Sequence, residues 1–328
     1  MHQVRLTGVK KVQKKKNYTK YIVYVLVIIA LCVFGSRIPG FFTFRNIMNV
    51  TRQASTIAIC ALAMTLVLII KGIDLGTGGV MAFCAMVSAF MMLRGVNVFL
   101  AMLTGALVGL SIGIINGLLV AKIEIPPFVA TYVTGQITLG LALVVGKGSS
   151  ISGLPALYSA IGNNLIIGIP INTWIMILLL IITTVILKFT RMGKHIYALG
   201  GSESVIKTEG INPDVIKVFA FALCGMYSAI AGVLLSAQMA TVHPTQGSTY
   251  QLDAVAASLI GGVSMLGGEG AAWMSVVGAL IIGFLRNALD MLAIDPFYQN
   301  LVVGAAIILV VGVSVYRRHK ELKLAKVF

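Results

Sequence analysis

The stretch RMGKHIYALGGSESVIKTEGI, residues 191–211, is polar, carries both signs of charge and is punctuated by glycine. On both sides of it the chain is apolar, in runs near twenty residues that recur from Tyr21 to Tyr316. A run of that length crosses the roughly 30 Å hydrocarbon layer as a helix. The contrast decides the fold class: an all-α polytopic membrane protein with one sizeable polar element between its spans. Composition agrees, with 58% hydrophobic and 11% charged residues in a chain of 328, against about a quarter charged in soluble domains.

A formal charge of +15 would suggest nucleic acid in a soluble protein. Here the basic residues sit mostly in the gaps between apolar runs, which makes them a topology signal, and no nucleic-acid partner is expected. Residues 1–20 carry Arg5, Lys10, Lys11, Lys14, Lys15, Lys16 and Lys20 and no acid, so this tail is expected in the cytoplasm. No small-residue cleavage site follows the first apolar run, which therefore reads as a retained helix. Spans are expected near 20–36, 53–70, 76–93, 97–121, 127–146, 171–188, 215–239, 252–266, 271–289 and 297–316. That count of about ten divides the chain into a basic tail (1–20), a transmembrane region (21–316) and a second cytoplasmic basic tail (317–328).

Charges not used in the count fit it. Lys188, Arg191, Lys194, Lys207 and Lys217 follow or flank the sixth span, and Arg317, Arg318, Lys320, Lys323 and Lys326 follow the tenth. Asp290 and Asp295 fall in the expected outer loop after the ninth. The exception is the first outer loop, with Arg37, Arg45 and Arg52, where a short interfacial amphipathic helix is expected within FFTFRNIMNVTRQ.

Two spans are irregular. LDAVAASLIGGVSMLGG is short and glycine-rich, and IIKGIDLGTGGVMAF interrupts the boundary between the second and third spans. Such breaks either line a pathway, where irregular backbone meets protein or water, or are tight turns. GALVGLSIGIINGLL from Gly105 echoes GALIIGFLRNALDML from Gly278, which would fit an inverted repeat.

Gly105, Gly109, Gly113 and Gly117 recur every fourth residue, the spacing of close helix packing. GLSIG at Gly109 matches a nucleophile pattern formally, but that serine needs a strand-to-helix elbow rather than a membrane helix. VVGKGSS at Val144 lacks the first glycine of a phosphate loop and its context, so no nucleotide site is expected in this chain. Cys32, Cys60, Cys84 and Cys224 lie inside apolar runs, and His2, His195, His243 and His319 are scattered, so no metal or disulfide framework is expected. Ionisable and polar groups within or at the edges of spans are few: Asp74, Asp253 and Arg286, with Asn116, Gln136 and Asn287. Each is costly in lipid, and each reads either as structural hydrogen bonding or as part of a translocation path. Two carboxylates and one arginine make a poor proton relay, which argues against proton-coupled secondary transport.

The polar region 190–216 is expected on the cytoplasmic side. GGSESVIKTEGI reads as a short helix, with Ser202 as N-cap, Glu203 in the first turn and Gly210 as terminator. By itself such a helix is either a solvated connector or a docking element for a soluble motor.

GKHIYALGGSESVIKTEGI resembles the cytoplasmic coupling region of ABC importer permeases of the ribose and monosaccharide type, relatives of the branched-chain amino-acid permeases. LVLIIKGIDLGTGGVMAF from Leu66 and STYQLDAVAASLIGGVSMLGGEGAAWMSVVGALIIGFLRNAL from Ser248 fall in the same family order. The resemblance covers about residues 40–316. It implies a transport subunit without catalysis or cofactor of its own, in a bacterial cytoplasmic membrane. A partner ATPase, in the sugar branch with two fused nucleotide-binding domains, would bind ATP and magnesium. An extracytoplasmic binding protein would deliver the solute, and a second permease, identical or paralogous, would complete the path. Gly200 and Gly201 would set the angle of a coupling helix from about Ser202 to Glu209, with Lys207 and Gly210 in it or at its end. GIDLGTGG departs from the ribose pattern, where serine and valine are common after the leucine, and the N-terminus is longer and more basic. The solute is left open between ribose-like sugars and furanosyl relatives. The competing classes are a branched-chain amino-acid permease and, from outside the superfamily, a secondary transporter.

Overall fold

The computed structural model describes residues 35–295 together with 298, 299, 301, 302, 304, 305, 308 and 312. Both basic tails, nearly all of the first expected span and most of the tenth lie outside the described residues.

The chain folds as α1 (Phe44–Ile69), α2 (Thr77–Leu93), α3 (Val98–Ala121), α4 (Pro127–Val145), α5 (Ala156–Asn163), β1 (Leu165–Ile166), β2 (Ile169–Pro170), α6 (Ile171–Phe189), α7 (Arg191–Gly201), α8 (Glu203–Thr208), α9 (Pro213–Met239), α10 (Tyr250–Ile260) and α11 (Ala272–Met291). Local chemistry sets several starts. The side chains of Thr43, Asn97, Thr190 and Asn212 each accept a backbone N–H at the head of α1, α3, α7 and α9. Pro127 and Pro213 occupy the first turns of α4 and α9, where no amide donor is needed.

Among the described residues six helices are long and apolar enough to cross a membrane: α1, α3, α4, α6, α9 and α11. α2 is a shorter apolar helix of 17 residues. The eighth expected span is corrected: α10 has 11 residues, about 16 Å of rise, and 261–271 is not helical. The separate interfacial helix also gives way, because Phe44–Gln53 are the first turns of α1 itself. The all-α expectation misses one small antiparallel hairpin, in which Leu165 pairs with Pro170 and Ile166 with Ile169.

α1 and α9 form the centre. α1 is buried on every side from Ala54 to Ile69, and α9 is buried along most of its length. α9 packs on α2 and α3, while α1 packs on α10 and α11. Each half of the chain thus supplies a central helix that is wrapped by the other half's helices, and α3 and α11, which carry the echoed sequences, occupy corresponding places.

Two connections turn back into the bundle. After α1 the backbone runs through 70–76 with Lys71 left-handed at φ 66°, and Gly76 and Gly79 pack on Thr131 and Gly135 of α4. Gly135 lies eight residues beyond Pro127, about 12 Å along α4. The chain between α9 and α10 comes inward to the same point, where Gly78 and Gly247 lie backbone to backbone.

The four-residue glycine series on α3 faces inward. Gly105 abuts Ser88 and Cys84 of α2, and Gly109, Gly113 and Gly117 abut the α9 backbone at Gly225, Phe221 and Val218. A Cβ at Gly113 would overlap the Phe221 carbonyl oxygen, whereas one at Gly140 on α4 would meet open space. Gly113→Val should therefore lower the apparent Tm of the detergent-purified protein by the equivalent of about 1–3 kcal/mol or more. Gly140→Val, measured alongside it by fluorescence-detected thermal unfolding, should leave the midpoint within about 0.5 kcal/mol of its original value.

Candidate functional site

The polar stretch forms two helices where one short helix was expected. α7 is amphipathic: Gly193, Ile196, Leu199 and Gly200 are buried, while Arg191, Lys194 and Ala198 are exposed. α8 follows after a single extended residue, Ser202. Ser202 stands at the N-cap position, but its hydroxyl pairs with Ser204 Oγ at 2.8 Å and caps no backbone amide. Glu203 opens the helix, where a negative charge favours the exposed N–H groups. Gly210 ends it in the left-handed region at φ 72°. The Gly210 amide donates to Lys207 O and that of Ile211 to Ile206 O, the pattern of a glycine-terminated helix.

α8 sits on the bundle by one apolar anchor and one ionic one. Ile206 is buried, whereas Ser204, Val205, Lys207 and Thr208 face outward. Glu203 bridges Lys207 at 3.0 Å within the helix and Lys217 at 3.0 Å on α9. Hydrogen bonds from Lys207 and then Lys217 hold the Glu203 carboxyl below its usual range. The bridge is therefore fully formed above the ordinary carboxylate value of about 4.3 and is lost only as pH falls through the lowered one. Beside it a cavity of about 350 Å3 opens between α8 and the α3–α4 connection, lined by Ile70, Glu124, Pro127, Glu203, Lys217 and Phe221 among others.

The end of α7 is tied to both interruptions. Gly200 packs on the Ile69 carbonyl and on Gly268, and the Gly268 amide donates to that same carbonyl at 2.8 Å. Lys71 Nζ donates to Gly201 O at 3.1 Å, an ammonium at a helix C-terminus. The Tyr197 hydroxyl donates to Gly270 O at 2.7 Å. Gly201 itself has open space where a side chain would be.

The intramembrane polar residues separate into two groups. Asp74, Asn116, Asp253 and Asn287 are buried, and Arg286 is half-buried. Each acid stands at the head of an interrupted helix. Asp74 Oδ1 accepts the Gly76 amide at 2.8 Å just before α2. Asp253, in the first turn of α10, accepts from Arg286 Nη2 at 2.8 and 2.9 Å and so joins α10 to α11. Asn287 exchanges amide hydrogen bonds with Asn46 at 2.8 and 3.1 Å, fastening α11 to the first turn of α1. Asn116 Oδ1 is buried without a partner among the described residues. Gln136 alone of the six faces outward, at the middle of α4.

Lys71, Tyr197, Lys217 and Asn46 were not singled out from the sequence as site residues. Lys217 is visible there only as one more positive charge, and the others carry no spacing signal, because their partners lie far away along the chain.

The family described as "Branched-chain amino acid transport system / permease component" matches residues 46–311, from the first turn of α1 past α11 and through both interruptions. This chain belongs to that permease family. The permease is 39% identical over 303 residues to a ribose import permease protein of Haemophilus influenzae, covering 91% of this chain and 94% of that protein. It is 36% identical over 299 residues to the ribose import permease protein of Escherichia coli, covering 90% and 92%. A D-allose transport system permease protein of Escherichia coli is 33% identical over 299 residues, again covering 90% and 92%. No solved structure matches the permease at a significant level. Membership and the six apolar helices make it a multi-pass protein of the bacterial cytoplasmic membrane.

Removing one member of a buried ion pair strands the other charge and typically costs about 3–5 kcal/mol. Asp253→Asn should therefore lower the folded yield and thermal midpoint of the permease sharply. The double variant Asp253→Asn with Arg286→Met should recover part of the loss in a double-mutant cycle read by thermal unfolding in detergent.

Proposed function

We propose that this permease is the membrane subunit of an ATP-driven importer for a ribose-like monosaccharide. The observation that carries the reading is the α7–α8 element. It is polar and outward-facing, hung on the bundle by Ile206 and Glu203, and its base meets both helix interruptions through Gly200, Gly201 and Tyr197. The ribose and allose permeases among its relatives supply the solute class. In this reading the permease carries out no reaction and holds no cofactor. A partner ATPase, with two fused nucleotide-binding domains, uses ATP and magnesium, and a binding protein brings the sugar to the opposite face. The α7–α8 side is cytoplasmic, with both chain ends and the basic tails on that side.

The coupling residues are Gly200, Gly201, Ser202, Glu203, Lys207 and Gly210. Movement of α8 would pass as a rigid-body shift to the base of α9 through Lys217 and to the interruptions through α7. The path is assigned to the open face of α4, where Tyr132, Gln136 and Gly140 recur every fourth residue and are exposed. An amide at the centre of an apolar span is expensive against lipid, so this face is covered by water, solute or a second permease subunit. The other five polar residues are assigned to holding the interrupted helices and their neighbours in place.

The test is reconstitution with a co-purified ATPase and sugar-binding protein, read as ATP-dependent ribose uptake. Transport by the permease alone without ATP would make it a secondary transporter. Exposed ion pairs contribute about 0–1 kcal/mol, so Glu203→Ala should leave folding nearly intact while lowering ATPase association and solute-stimulated ATP hydrolysis. Gly210→Ala, which forces a side chain into the left-handed region at a cost of about 1–2 kcal/mol, should do the same; unchanged hydrolysis in both variants overturns the coupling role. Gln136→Leu should reduce sugar uptake by up to about tenfold, the equivalent of one lost hydrogen bond, without altering ATPase association. Normal uptake by that variant would remove α4 from the path.

A further inference from the structure

Arg45, Met48, Asn49 and Arg52 are spaced i, i+3, i+4 and i+7 on α1, and so share one helix face. With Phe44 and Leu165 they line a cavity of about 360 Å3. We infer that this cavity is a binding site for the headgroup of an anionic phospholipid, with the two arginines on its phosphate. The inference rests on depth, exposure and charge, and does not depend on the transport reading.

Depth comes from the helix itself. Arg52 is 17 residues from Ile69, the end of α1 that meets α7, or about 26 Å along the axis. The hydrocarbon layer is about 30 Å thick, so Arg52 stands near the opposite boundary and Arg45, two turns farther out, at headgroup level. The neighbouring surface is lipid-like in its demands. The β1–β2 hairpin exposes Leu165, Ile166 and Ile167, the last 88% exposed. The Trp174 indole donates to Ile166 O at 3.1 Å, a tryptophan in the interfacial place such rings favour. Acyl chains would cover this hairpin, and an acidic protein approaching from water would not.

The charge is left unanswered among the described residues. Neither arginine has an ion-pair partner among the described residues. Arg52 Nη2 donates to Asn163 O at 3.2 Å at the end of α5, which fixes the guanidinium, while its Nε is buried with no acceptor among the described residues. A fixed guanidinium with donors to spare suits phosphate. The apolar Phe44, Met48 and Leu165 beside it suit the start of an acyl chain. Arginines on the face opposite the basic loops, against the usual charge bias, then have an electrostatic reason to be there.

The experiment compares wild type, Arg45→Gln and Arg45→Gln with Arg52→Gln in nanodiscs of phosphatidylcholine with or without phosphatidylglycerol. Retained lipid is read by native mass spectrometry and stability by thermal midpoint. Gel-filtration profiles check folding, and Arg45→Lys serves as the charge-preserving variant. Wild type should retain phosphatidylglycerol in preference and be stabilised by it. Each arginine removed should weaken that preference about fivefold, Arg45→Lys should keep most of it, and inorganic phosphate in phosphatidylcholine should not reproduce it. Equal retention by all variants overturns the site. So does stabilisation by inorganic phosphate alone, or capture of a sugar-binding protein that needs Arg45 when lipid retention does not.

Discussion

Backbone that leaves the helix inside a membrane must find its hydrogen bonds in the protein, because lipid offers none. The permease leaves the helix after α1, between α9 and α10 and again after α10, and at Gly78 and Gly247 it brings the first turn of α2 against the α9–α10 connection. A side chain at either position would collide with the opposing backbone. The acids follow from the same constraint. Asp74 and Asp253 stand where α2 and α10 begin: Asp74 accepts the Gly76 amide, and Asp253 accepts from Arg286.

The glycines of α3 serve the same architecture by another route. Without a hydrophobic drive between helices in lipid, close packing and small residues set association. Gly109, Gly113 and Gly117 let α3 approach the α9 backbone directly, so α9 is seated along its length. Lys217 at its base meets Glu203 of α8, which leaves the polar element attached to a long packed helix and not to a free loop. On its other side Gly200 rests on the Ile69 carbonyl, already engaged by the Gly268 amide. A push on α8 therefore meets packed backbone in two directions.

Much of this was legible in the sequence. The apolar runs fix α1, α3, α4, α6, α9 and α11 to within a few residues at most ends, because twenty apolar residues have few alternatives in a bilayer. Only the start of α1 lies well outside its expected range, since Thr43 caps it ahead of the apolar run. The glycine period on α3 and the termination at Gly210 were equally visible, since both are local rules of spacing and backbone freedom. The family followed from three motifs in order. α10 was misjudged as a span because a short buried helix followed by a glycine-rich turn has the hydropathy of a longer one. α7 is not distinguished from the rest of the polar region 190–216 by its sequence, because its apolar face is narrow and broken by glycine.

What the sequence determined by itself was therefore the membrane class, most of the spans and the polar element between them, all set by composition and short-range periodicity. Tertiary structure alone decided which polar residues are occupied and which are open. Asp253 meets Arg286 thirty-three positions away, Asn46 meets Asn287 across 241, and Lys71 reaches Gly201 across 130. Gln136, of similar polarity, has no side-chain hydrogen bond among the described residues and faces out. Hydropathy weighs each residue alone, whereas satisfaction of a polar group in lipid is a property of the pair.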